Sequence, residues 1–171
     1  MRVIKIKITE TMAKIIIGID PGANGGISFG YEEGTLIDTT KMPQTPRDIL
    51  DYLEHIKQIA GYDCNDNVVC YLEKVQGMPG QGGMAMFNFG KGFGYLEMGL
   101  IGMNIQTVEV TPQKWQKFFQ LGASKSCSSK TEWKNKLKAK AQQLFPKIKV
   151  TLWNADALLL YYYGVHTEKG K

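Results

Sequence analysis

Histidine and cysteine are scarce in this chain of 171 residues: there are two histidines, His55 and His166, and three cysteines, Cys64, Cys70 and Cys127. No CxxC pair exists and the spacing is wide and irregular, which argues against a zinc site built on Cys and His and against a disulfide scaffold. No apolar run approaches the ~20 residues of a membrane-spanning helix. The N-terminal stretch MRVIKIKITETMAK lacks the apolar core and small-residue cleavage site of a secretory signal, so a reducing cytoplasm is the expected compartment and no membrane partner is expected. There is no internal repeat and no low-complexity linker. Hydrophobic residues make up 43% and charged residues 22%, which excludes wholesale disorder and suits one domain with a real core.

Charge is present but unevenly placed. Residues 1–111 carry 9 Lys+Arg against 13 Asp+Glu, a net of −4, whereas residues 112–171 carry 12 against 3, a net of +9. Between Lys114 and Lys149 the only acid is Glu132. Such asymmetry is the electrostatic footprint of a polyanion partner, and equally of a solvated lysine-rich helix face.

Residues 1–11 read as an N-terminal extension, and residues 12–171 as a single domain. Ile15 to Ile19 is apolar without alternation and predicts a central strand buried on both faces. Gly25–Tyr31 and Thr35–Thr40 predict two further strands joined by a turn at Glu32-Glu33-Gly34. Thr45-Pro46 starts a helix that runs to about Ala60. Val68 to Leu72 is a second fully apolar strand, ending in Glu73. A Gly/Met-rich loop leads to a helix over 84–103, interrupted by glycines. Gln106–Val110 is a strand, Thr111-Pro112 starts a helix to Phe119, and a basic helix covers 131–145. A last helix begins near Asn154. This order predicts an α/β chain, a mixed sheet with helices on its faces.

Three carboxylates close apolar segments. Asp20 ends the first buried strand, Glu73 ends the second, and Asp156 lies in the first turn of the last helix. Carboxylates at the ends of adjacent buried strands stand where crevices form, and like charges that close require a cation or a proton. Three of them converging describe a site for a hard divalent cation. Taken singly, each has an ordinary reading: Asp20-Pro21-Gly22 as a turn with Gly22 at positive φ, Glu73 as a solvated strand end, Asp156 as a helix-start acid with Asn154 as N-cap.

At these residues the chain resembles the RuvC-type Holliday junction resolvases, in particular their phage and prophage relatives. The matching pieces are GIDPGANGGIS (18–28), YLEKV (71–75), MPGQGGMAMFNFGKGFG (78–94), VTPQKWQK (110–117) and NADALLL (154–160), in family order. The resemblance implies an RNase H-like fold with a five-stranded mixed sheet flanked by helices. It further implies a homodimer and magnesium-dependent nicking of branched DNA, the four-way junction above all. Mn2+ is expected to substitute for Mg2+. Asp20, Glu73 and Asp156 would be catalytic metal ligands, and Lys130 would approach the cleaved phosphate.

Two departures from the family pattern stand out. The position three residues before the last Asp, usually a fourth ligand, is Trp153, with Asn154 beside it as an alternative oxygen donor. The position three after Glu73, an aromatic wedge in some resolvases, is Gln76, which leaves Met78, Met86 and Phe87 as apolar substitutes. Carboxylate two-metal chemistry asks for no Cys, His or Ser nucleophile, which suits this composition. Lys114, Lys117, Lys130, Lys134 and Lys138 are the expected DNA-binding residues. Arginine is too sparse for much bidentate base reading, so selectivity is expected from junction shape. Trp133, Leu137, Leu144 and Phe145 form the apolar stripe of the basic helix. A dimer seam is expected on the 84–103 helix, where Gly90 and Gly94 lie one turn apart with Phe87, Phe93, Met98 and Met103 nearby.

Overall fold

The structure, a computed structural model, describes residues 13–61, 67–75 and 82–171. The expected N-terminal extension, Gln76 and Met78 lie outside the described residues. At the centre is β1 (Ile15–Asp20), paired antiparallel with β2 (Gly26–Tyr31). Outside β2 lies β3 (Leu36–Lys41), also antiparallel. On the other side β1 pairs in parallel with β4 (Val68–Glu73), and β4 in parallel with β5 (Gln106–Val110). The result is a mixed five-stranded sheet in the order β3-β2-β1-β4-β5. Helices α1 (Pro46–Ala60) and α2 (Gly83–Gly102) cover one face. Helices α3 (Pro112–Phe118), α4 (Lys130–Leu144) and α5 (Ala155–Lys169) cover the other. No helix among the described residues is long and apolar enough to cross a membrane.

The unbroken apolar run of β1 is explained by two cores. Side chains alternate across a strand. Ile15, Ile17 and Ile19 pack with Leu53, Ile56 and Leu96 beneath α1 and α2. Ile16 packs with Tyr71, Leu158 and Tyr161 beneath α5. Position 18 faces α5 as well and must be glycine. A Cβ there would lie 2.2 Å from the Tyr161 amide nitrogen and 2.4 Å from the Ala157 carbonyl oxygen, so the helix backbone rests directly on the strand.

A Cβ on Gly164, one turn further along α5, would fall 2.7 Å from Ile16 Cγ2, so α5 runs counter to β1. Its N-terminus therefore arrives at the C-terminal end of β1. Its far end is tied down by Glu168, which accepts from the Tyr71 hydroxyl at 2.6 Å and ion-pairs with Lys14 at 2.5 Å.

Local start signals read as expected. Thr45 Oγ1 accepts from the Asp48 amide at 3.1 Å, and Thr111 Oγ1 from Lys114 at 3.4 Å. Other details differ. Ser129 caps α4 by accepting from the Glu132 amide at 3.1 Å, which draws Lys130 into the helix as its first residue. Helix α2 is continuous, because Leu96, Gly99 and Leu100 are anchored on the core while its other glycines cost only propensity. Of the expected seam residues, Phe93 and Met103 pack against the α1-side core, whereas Phe87 and Met98 are exposed. Side chains added at Gly90 or Gly94 would meet open space, so these glycines do not serve packing of α2 on its own sheet.

Candidate active site

Strand parity brings the first two carboxylates to one side. Asp20 shares the parity of Ile16 and Gly18, and Glu73 that of Val69 and Tyr71, so both face the α5 layer. Ile19 pairs with Leu72, which sets Asp20 and Glu73 next to each other at the ends of the two central strands. The antiparallel descent of α5 along β1 then delivers Asp156, in the first helical turn, to the same corner. The loop after Asp20 folds tightly back, with the Gly25 amide donating to the Gly22 carbonyl at 2.8 Å. The close approach that needs glycine there is at Gly25, where a Cβ would lie 2.3 Å from the Asp20 carbonyl oxygen. Gly22, expected at positive φ, does not take it.

The three carboxylates act on one another. Burial, then the Asp156 charge, push Asp20 up to about 6, against the opposing pull of Lys134 and of the Gly22 amide. Burial, then Asp20, push Glu73 up to about 7, opposed by a hydrogen bond from Trp115. Asp156 is itself buried: its Oδ2 ion-pairs with Lys134, and its Oδ1 has no hydrogen-bond partner. Burial alone would lower Lys134, but the attraction of Asp156, Asp20 and Glu73 outweighs it and holds the ammonium above its ordinary value.

Trp115 is a site residue that the sequence reading missed. Fully buried on α3, it donates its indole N–H to Glu73 Oε1 at 2.9 Å. The available signal was the Thr111-Pro112 start immediately after β5. Since Glu73 pairs with Val110, the first turn of α3 must lie beside Glu73. Trp115→Phe keeps most of the packing and removes the donor. The Glu73 midpoint, followed by carboxyl NMR, should then rise by about one unit, the worth of one hydrogen bond to a charged group. An unmoved midpoint would show that the indole does not hold this carboxylate.

The other expected residues separate into groups. Lys114 and Lys117 on α3 and Lys130 at the start of α4 are exposed, and Lys138 is half-buried. Lys117 and Lys125 border a groove of about 670 Å³ between α3 and α4, floored by Trp133. Lys134 instead turns inward to Asp156. Trp133, Leu137 and Phe145 are core, as their stripe predicts. Trp153 is half-buried with its ring edge over β2, where a Cβ on Gly26 would come within 3.1 Å of Cε3. Asn154 neither caps α5 with its side chain nor offers its amide oxygen. Its Oδ1 accepts from the Thr151 amide at 2.7 Å and its Nδ2 donates to the Lys149 carbonyl at 3.3 Å, which fastens the loop before the helix.

The donor chemistry fits a hard divalent cation: the corner offers carboxylate oxygens, one of them buried and without a partner. As the side chains stand, no three of His, Cys, Asp and Glu among the described residues are disposed to share an ion. The cation in the corner is the Lys134 ammonium.

A mixed five-stranded sheet in this order, with helices on both faces, is the RNase H-like fold. Among solved structures, the chain is similar to T. thermophilus RuvC in complex with a Holliday junction substrate. That match has a TM-score of 0.63 and 11% identity, over 92% of this chain and 96% of that one. It is also similar to a Thermus thermophilus RuvC structure with a TM-score of 0.58 and 14% identity, over 91% of this chain and 96% of that one. No protein-family model and no curated protein matches the sequence.

Proposed function

We propose that this chain is a metal-dependent endonuclease that resolves four-way DNA junctions by paired nicks. The observation that carries the reading is the convergence of Asp20, Glu73 and Asp156 at one sheet end, with Asp156 Oδ1 buried and unpartnered, on a fold shared with a protein solved on a Holliday junction. The three carboxylates would hold magnesium, with manganese as a substitute. When bound, the metal supplies Lewis-acid stabilisation of the phosphoryl oxygens and a water of lowered pKa, which suits hydrolysis to a 5′ phosphate and a 3′ hydroxyl. Trp115 keeps Glu73 oriented. Lys114, Lys117, Lys130 and Lys138 neutralise backbone phosphates, so affinity falls steeply with salt. The exposed apolar face of α2, with Phe87 and Met98, suits a second copy of the chain, as symmetric nicking of a junction requires.

A second reading has its own support. Trp153 replaces an expected ligand and Lys134 already neutralises Asp156, as in a junction-binding protein that has lost catalysis. One assay separates the two. Synthetic four-way junctions and linear duplex are incubated with the protein in Mg2+ and in Mn2+. Paired nicks confined to the junction are the expected result. Tight junction binding without nicking in either metal overturns the nuclease reading in favour of the binder. Equal cutting of linear duplex, forks or hybrids would reassign the substrate.

A further inference from the structure

Helix α4 carries a row of lysines, and one behaves unlike the rest. Lys136 pairs along its own helix with Glu132 at 3.3 Å, the usual arrangement of a solvated face. Lys134 crosses instead to α5 and sets its ammonium on Asp156 Oδ2, within the attraction of Asp20 and Glu73. The two partners differ in burial. The Asp156 side chain is 2% exposed, while that of Lys134 is 47% exposed, so the lysine stem lies along the surface and only its tip enters the corner. The pair also leaves the carboxylate half satisfied, because Asp156 Oδ1 remains buried with no partner. Among the described residues, a single ammonium thus feels three carboxylates, on a long side chain that is about half exposed.

We propose that Lys134 is the resident counter-ion of the acidic corner: it holds the carboxylates together in the metal-free protein, and a divalent cation entering the corner displaces it. The displaced side chain then carries its charge outward, to the surface where the other α4 lysines would meet phosphates. Metal entry and the positive charge offered to DNA are thereby coupled. This rests on the reading that the corner binds metal, and it adds that the metal competes with a residue of the chain itself.

The test is a Mn2+ titration without DNA at pH 8, following free Mn2+ by its paramagnetic signal, with thermal melts in a chelator alongside. Lys134→Gln removes the competitor and should bind Mn2+ about tenfold tighter than the parent, or more, as expected for deleting a like charge next to the ion. The same variant should melt at lower temperature in chelator and recover when Mn2+ is added. Lys136→Gln makes the same change in net charge and should match the parent in both measurements. Lys134→Arg keeps the counter-charge and should bind no tighter than the parent. If the parent binds Mn2+ and Lys134→Gln binds equally or more weakly, the counter-ion role is overturned while the metal site stands. If the parent binds no Mn2+, the metal reading falls and this inference with it.

Discussion

Asp20→Asn should abolish metal-dependent junction nicking, with a loss of about a thousandfold or more, and should at the same time make the metal-free protein more stable at pH 8. The first effect follows from removing an anionic oxygen donor at the end of β1, where several kcal/mol of transition-state stabilisation is at stake. The second follows from linkage. Asp20 and Glu73 are raised to about 6 and about 7, from ordinary values of 3.8 and 4.5, because burial disfavours their charged forms, helped by repulsion from Asp156 on Asp20 and from Asp20 and Asp156 on Glu73. At these two positions the folded state therefore binds protons more tightly than the unfolded chain. Their favourable contribution is fully present below about pH 4 and is lost as pH rises through about 7. Replacing Asp20 removes its own penalty and part of that on Glu73, on the order of 3 kcal/mol at pH 8. Nicking assays in Mg2+ and melts in chelator at pH 5 and pH 8 check both. Undiminished nicking would end the proposed chemistry. A variant less stable than the parent at pH 8 would show that the carboxylates do not burden the fold.

Gly18→Ala should unfold the protein or dislodge α5. The Cβ would lie 2.2, 2.4 and 2.8 Å from Tyr161 N, Ala157 O and Leu160 C, all backbone atoms of a packed helix. None can rotate away, so the whole helix must shift. Overpacking of this kind costs about 3 kcal/mol or more, a large share of the about 5–15 kcal/mol that holds a domain folded. Gly164→Ala is the useful contrast. Its nearest neighbours are the side chains of Tyr71 and Ile16, which can adjust, so its penalty should be smaller. Urea unfolding followed by circular dichroism ranks the two. A Gly18→Ala protein with the parent's midpoint would mean that the helix does not rest on the strand.

The parts of this molecule visible in its sequence are those written locally. The double-sided burial of β1, the acids that end β1 and β4, and the two Thr-Pro starts each depend on a few neighbouring residues. What stayed hidden depends on partners far along the chain. The Trp115–Glu73 bond exists only because β5 lies parallel to β4, and the Lys134–Asp156 pair only because α4 packs on α5. The continuity of α2 likewise comes from Leu53 and its neighbours beneath Gly99, which the glycine content alone argues against. Asn154 is a different case. Its bond to Thr151 spans three residues and competes directly with capping, a local preference that the pattern Thr-Leu-Trp-Asn does contain.

Because β1 is lined on both sides, its length between Gly18 and Asp20 is quantised. Inserting one residue there would rotate the terminal carboxylate through the sheet, into the apolar layer beneath α1 and α2. Inserting two would restore its side but carry it about 7 Å too far along the strand axis to meet the start of α5. This short stretch thus admits neither gain nor loss of a residue without moving the carboxylate out of its corner.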